Sequence, residues 1–184
     1  MLELAVLGLL HEAPLHGYEL RQRLKATLGS FRAFSYGSLY PSLRRMKEAG
    51  WLAEDAGNAD MIAGAPPLTG RRGKVVYKLT AEGKERFTEL LAEAGPSAWE
   101  DETFGVHFAF FSQTEPEVRV RILEGRRSRL EERREGVRSG LARTRERLDT
   151  YTLQLQEHGL ESVDREVRWL TELIETERRR HHQP

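Results

Sequence analysis

The chain has no cysteine among its 184 residues, which removes disulfides, thiolate zinc sites and cysteine nucleophiles together. It has no run approaching 18 uncharged apolar residues, so no membrane-spanning helix is expected. Met1-Leu2-Glu3-Leu4 lacks the basic start and small-residue cleavage site of a secretory signal, and the cytosol is the expected compartment. Also absent are His-Glu-x-x-His, a P-loop, Gly-x-Gly-x-x-Gly and Gly-x-Ser-x-Gly. Histidines stand at 11, 16, 107, 158, 181 and 182, and His181-His182 is a two-ligand tail rather than a metal site. Glu131-Glu132 fits a charged helix face where i, i+4 pairing with arginine is ordinary. No enzyme activity, cofactor or metal is expected. The length suits one domain or two small ones sharing a core, and excludes a large barrel.

Net charge is also lacking, since 29 Lys+Arg balance 29 Asp+Glu. The balance is uneven along the chain. Residues 1–80 carry 11 Lys+Arg against 7 Asp+Glu, and the remainder carries 18 against 22. A mildly basic front module therefore precedes a mildly acidic rear one.

What is present is helical periodicity. Leu2, Ala5, Val6, Leu9 and Leu10 mark a first helix that Pro14 closes. Leu20, Leu24 and Leu28 mark a second over 18–28, with Gly29 as a left-handed terminator. Ser35 is a suitable N-cap for a third, with Leu39, Leu43 and Met46 on one face, Pro41 in the first turn and Gly50 at the end. Trp51-Leu52 opens one strand and Val75 to Leu79 alternates as another, with a glycine-rich tip from Ala56 to Gly73 between them. Thr80 caps a fourth helix that Gly95-Pro96 stops.

The rear reads as nearly all helix. Thr114 to Glu117 reads as a capping box, followed by one heptad phase from Val120 to His158. Gly159 is expected to break that helix and Ser162 to recap a last one bearing Val163, Val167, Leu170 and Ile174. The expected fold is mainly α: a winged helix-turn-helix with a two-stranded wing over 1–95, then an all-helical dimerisation domain over 96–184.

The third helix carries the functional reading. At about 100° per residue its leucine stripe leaves Tyr40, Pro41, Arg44, Arg45 and Glu48 on the other side. The B-form major groove, about 12 Å wide, admits one such helix. Arg44 and Arg45 can pair with phosphate or guanine, and Ser35, Tyr36 and Ser38 can donate to phosphate beside the first-turn N–H groups. Arg71, Arg72 and Lys74 can follow the backbone or enter a minor groove, or stand as a solvated loop. Double-stranded DNA is the expected partner; the alternative is a winged-helix module that contacts protein and does not read DNA.

A single winged helix covers one short site, so a two-fold homodimer with reading helices about 34 Å apart is expected. The Val120–His158 seam and the Val163–Ile174 stripe can meet a partner or close on each other. Trp99, Phe104, His107, Phe108 and Phe111 either line a pocket for a small-molecule effector or form core.

Several separated stretches carry a resemblance. Leu9-Leu10, Pro14-Leu15-His16-Gly17-Tyr18-Glu19-Leu20, Tyr36-Gly37-Ser38-Leu39-Tyr40-Pro41-Ser42-Leu43, Gly50-Trp51-Leu52 and Tyr77-Lys78-Leu79-Thr80-Ala81-Glu82-Gly83 resemble the PadR family of transcriptional regulators. The likeness covers about residues 1 to 90, and the rear resembles the dimerisation domain of longer members. It implies a homodimeric repressor on a palindromic operator, often released by a small molecule or stress signal. It implies DNA contacts from the stretches matching Tyr18, Ser35 to Tyr40 and Arg44. Tyr18 also has a structural reading, packed beneath the third helix with its hydroxyl hydrogen-bonded. The family's wing is usually shorter than Ala56 to Gly73.

Overall fold

The computed structural model describes residues 1–29, 36–55 and 75–181. The chain divides into two units, Met1–Glu93 with Asp101–Thr114, and Ala94–Glu100 with Glu115–Pro184.

The first unit is built around α1 (Leu2–Glu12), in which every residue from Leu4 to Leu10 is buried. A helix apolar on all sides must be wrapped. Around it pack α2 (Gly17–Leu28), α3 (Leu39–Glu48), α4 (Ala81–Ala92), α6 (Phe104–Ala109) and the strand β3 (Val76–Leu79). The leucines expected to face inward do so: Leu20, Leu24 and Leu28 from α2, and Leu39, Leu43 and Met46 from α3, are all at most 3% exposed. A 3-10 turn, Tyr36–Ser38, leads into α3. The expected left-handed terminator at Gly29 is instead right-handed, with φ −59°.

Gly50 does take the left-handed conformation, at φ +78°. Its N–H donates to the Lys47 carbonyl and the Trp51 N–H to the Met46 carbonyl, which satisfies two end carbonyls of α3 and turns the chain into β2 (Leu52–Asp55). The wing strands β2 and β3 pair antiparallel, with Leu52 opposite Leu79 and Glu54 opposite Tyr77. A third strand, β1 (Leu15–His16), adds to the far side of β3, so the sheet order is β1-β3-β2. The two-stranded expectation missed this strand because two residues are too short to show alternation. Thr80 caps α4 as expected, accepting from the Gly83 N–H, while its hydroxyl donates to the Gly50 carbonyl at 2.7 Å.

Residues 101–114 were expected in the rear domain. They belong to the first unit because Val106 and Phe110 join the α1 core, the Phe110 ring packing against Gly8 and standing at 86° to Phe87.

The second unit is a long hairpin of α7 (Pro116–Thr144) and α8 (Thr150–His181), with the short α5 (Pro96–Trp99) laid on α7. Ile122, Leu123 and Leu130 of α7 and Val167, Leu170 and Ile174 of α8 are buried. Ion pairs follow the antiparallel register: Arg119–Glu177 at 2.8 Å, Arg126–Glu166 at 2.9 Å, Arg134–Asp164 at 3.4 Å and Arg145–Glu157 at 3.1 Å. The expected break at Gly159 and recap at Ser162 are not there; both residues lie inside α8. The chain turns earlier, where the Asp149 carboxylate accepts the N–H groups of Tyr151 and Thr152 and the Thr152 hydroxyl. Those bonds, the Thr152 hydroxyl foremost, hold the Asp149 carboxyl below its usual pKa. A mid-helix glycine costs only about 1 kcal/mol, which packing overrides. Nor does Thr114 cap α7: its hydroxyl donates back to the Phe110 carbonyl, and Glu115 flanks the helix with Pro116 in the first turn. No helix among the described residues is long and apolar enough to cross a membrane.

Candidate nucleic-acid interface

On α3 the inward face is Leu39, Ser42, Leu43 and Met46, and Ser38, Tyr40, Pro41, Arg44, Arg45, Lys47 and Glu48 are exposed. The outward residues divide into three rows at about 100° per step. Tyr40 and Lys47 share the flank toward the sheet, Arg44 and Glu48 share the crest, and Arg45 and Ala49 share the opposite flank. Arg44 is therefore the guanidinium that leads the helix outward.

The sheet-side flank is organised by short contacts. The Lys47 ammonium donates to Glu54 on β2 at 2.6 Å. The rings of Tyr40 and Tyr77 both stand against Gly17, the first residue of α2. Burial foremost, then the Glu54 carboxylate and Tyr40, raise the Tyr77 phenol above its ordinary pKa, so it stays a hydrogen-bond donor at neutral pH. The entry to α2 is fixed by Glu19, whose carboxylate accepts the His16 N–H at 2.9 Å. This orients Tyr18 outward: it is exposed, and its hydroxyl accepts from the Gln22 amide at 2.8 Å. Tyr18 is thus not packed beneath α3. Lys47 and Tyr77 escaped the sequence reading, although Lys47 falls in the same helical row as Tyr40. Tyr77 gave no signal, because its neighbours come from α2 and α3.

Ser35, Arg71, Arg72 and Lys74 lie outside the described residues, as does the side chain of Tyr36.

The aromatic group divides between the units. In the first, Phe104, Phe108 and Phe111 form a chain of tilted rings, with centroids 5.7 and 4.9 Å apart. His107 beside them is buried, with no hydrogen-bond partner for Nε2 among the described residues, and burial followed by the positive chain terminus lowers its pKa to about 4. In the second, the Trp99 indole lies on Gly125, and its carbonyl accepts from the buried Arg126 at 3.2 Å. No cluster of three metal-binding side chains occurs among the described residues.

A winged helix with a cationic, phenol-bearing third helix turned outward is an architecture that many transcriptional regulators share. Residues 6–89 match the family described as "Transcriptional regulator PadR-like family", and over that stretch the chain is similar to it. It is 28% identical over 96 residues to the negative transcriptional regulator PadR of Bacillus subtilis (strain 168). That match takes in 52% of this chain and 48% of the relative, so the chain spans about half the length of the curated relative it matches. Among solved structures, Bacillus subtilis PadR in complex with operator DNA is 20% identical with a TM-score of 0.43, covering 96% of this chain and 98% of that chain. The same protein in complex with p-coumaric acid is 19% identical with a TM-score of 0.43 and the same coverage. A PadR-like transcriptional regulator from Bacillus cereus is 18% identical with a TM-score of 0.42, covering 98% and 99%.

Proposed function

We propose that the chain is a cytoplasmic homodimeric repressor that acts by binding alone, reading a palindromic operator with α3 in the major groove. The observation that carries this is the division of α3: Leu39, Leu43 and Met46 are at most 2% exposed while Tyr40 is 48% exposed and Arg44 lies on the crest. Arg44 takes the base-reading or phosphate role at the centre. Tyr18, Ser35, Tyr36, Ser38, Tyr40 and Arg45 flank it on the phosphates, and Arg71, Arg72 and Lys74 follow the backbone beyond. The Phe104, Phe108 and Phe111 rings, with His107, receive a small aromatic effector that releases the DNA.

Dimerisation is supported by α8. Tyr151, Leu155 and Trp169 are 83%, 68% and 40% exposed, and their spacing sets them within about 40° of one another along roughly 27 Å of helix. Exposed apolar side chains sharing one side of a helix favour a partner surface there.

The test is a binding titration on the chain's own upstream DNA. Arg44→Ala and Tyr40→Ala are expected to remove specific binding, each lost contact being worth about 1–3 kcal/mol, with the oligomeric state unchanged. Unchanged affinity in both variants overturns the reading.

A further inference from the structure

In the second unit, α7 and α8 border a groove of about 440 Å³ lined by Arg134 and Arg138 from α7 and by Glu161, Asp164, Arg165 and Arg168 from α8. Helical spacing gathers them, since 134 and 138 are one turn apart and 161, 164, 165 and 168 stand at i, i+3, i+4 and i+7. Four guanidiniums meet two carboxylates, which leaves an excess of two positive charges. The pairing within the groove is loose. Asp164 is shared, accepting from Arg138 at 3.2 Å and from Arg134 at 3.4 Å. Glu161, largely exposed, stands 3.8 Å from Arg165, beyond hydrogen-bond reach. Arg168 is exposed and has no carboxylate partner among the described residues. The Nε of Arg134 is buried with no hydrogen-bond partner among them, and a donor in that state calls for an acceptor. Elsewhere on the hairpin Arg126 and Arg145 each have a carboxylate of their own, in Glu166 and Glu157. The groove offers an apolar ligand only the stems of its arginines. What it does offer is several planar N–H forks around one volume, which suit a phosphoryl group bearing three acceptor oxygens and a charge near −2 at neutral pH.

We propose that this groove binds a phosphate dianion, free or carried as a monoester on a small molecule, with Arg138 and Arg168 as its principal donors and Arg134 turning to it from Asp164. Bound phosphate bridges the two helices and takes over the guanidiniums that Asp164 now shares. The site lies wholly on the hairpin of α7 and α8, so it stands whether or not the first unit reads DNA.

The experiment titrates the full-length protein with inorganic phosphate, ribose 5-phosphate, ribose and acetate at constant ionic strength. It follows the Nε–H signals of Arg134, Arg138 and Arg168 by two-dimensional NMR, each assigned by its loss in the glutamine variant. Phosphate is expected to shift these signals and acetate to bind at least about tenfold more weakly, a single charge being unable to engage both helices. Ribose is expected to leave them unmoved. Ribose 5-phosphate binding more tightly than phosphate supports a monoester as the ligand, and equal or weaker binding supports the free anion. Arg168→Gln, at an exposed position without a carboxylate partner, is expected to keep the fold and weaken phosphate about tenfold, the loss of one charge-assisted contact. Asp164→Asn frees two guanidiniums and is expected to tighten phosphate about tenfold, whereas ion pairs that serve only to hold the hairpin predict no gain. Acetate binding as tightly as phosphate, undiminished binding in Arg168→Gln, a complex no tighter in Asp164→Asn, or no shift with phosphate each overturns the site.

Discussion

The ring of Tyr40 lies against the backbone of Gly17, whose Cβ, if it had one, would stand 3.4 Å from Tyr40 Cε1 and 3.5 Å from Tyr77 Cε2. The first residue of α2 therefore sets where the phenol of α3 stands. Gly17→Ala makes ordinary contact, with an expected stability change within about 1 kcal/mol, whereas Gly17→Leu displaces Tyr40. Binding titrations are expected to show wild-type DNA affinity for the first and about a tenfold or greater loss for the second, with an unchanged far-ultraviolet spectrum. Equal affinities would separate the position of Tyr40 from DNA binding.

Gly8 answers to a different constraint, since an added Cβ would fall 2.3 Å from the buried Phe110 ring. Neither group can move without opening the α1 core. Gly8→Ala is expected to destabilise the protein by about 1–3 kcal/mol. Phe110→Leu in the same chain recovers part of that loss, because it removes the clash. Urea unfolding of the single and double variants measures the coupling, and additive losses would contradict the contact.

The Lys47–Glu54 pair is largely exposed, with side chains 49% and 33% accessible, so its worth to stability is at most about 1 kcal/mol. Its effect lies in charge. Glu54 neutralises a cation in the same row as Tyr40, and Glu54→Gln leaves Lys47 available to phosphate. Log affinity against log salt is expected to steepen by about one for this variant, with a tighter complex at low salt. A slope identical to wild type would place Lys47 away from the duplex.

His107 has a folded-state pKa of about 4, lowered by burial and then by the positive chain terminus. The unfolded imidazole titrates near about 6.5. Between these values the unfolded chain binds more protons, so stability rises with pH across that window. The contribution is complete above about pH 6.5 and is lost as pH falls through 4, by at most about 3 kcal/mol. His107→Leu is expected to flatten this part of the stability profile measured by denaturant titration at pH 4.5 and 7. An unchanged slope would assign the acid sensitivity elsewhere.

The inner face of α3 was legible because a helix imposes a period of 3.6 on whatever it buries, and Leu39, Leu43 and Met46 obey it. The Thr80 cap and the end of α3 at Gly50 were legible for a similar reason, being local backbone requirements met by neighbouring residues, although the left-handed turn was expected at Gly29 and fell at Gly50. The heptad phase carried no mark of where the chain reverses. Asp149 caps α8 and Gly159 stays helical because the face of α7 rewards continuing the helix. Much the same holds for Phe110, which becomes core only because Gly8 leaves room for it.

By itself, the sequence determined the kinds of element, the side of each helix that turns inward, and the cationic surface that α3 displays. Tertiary structure decided the third strand at Leu15–His16, the allegiance of residues 101–114, and the contact of Tyr40 with Gly17. Periodicity is written in residues three or four apart, whereas these contacts join residues tens of positions apart. Their selection comes from volume and charge that only the assembled chain brings together.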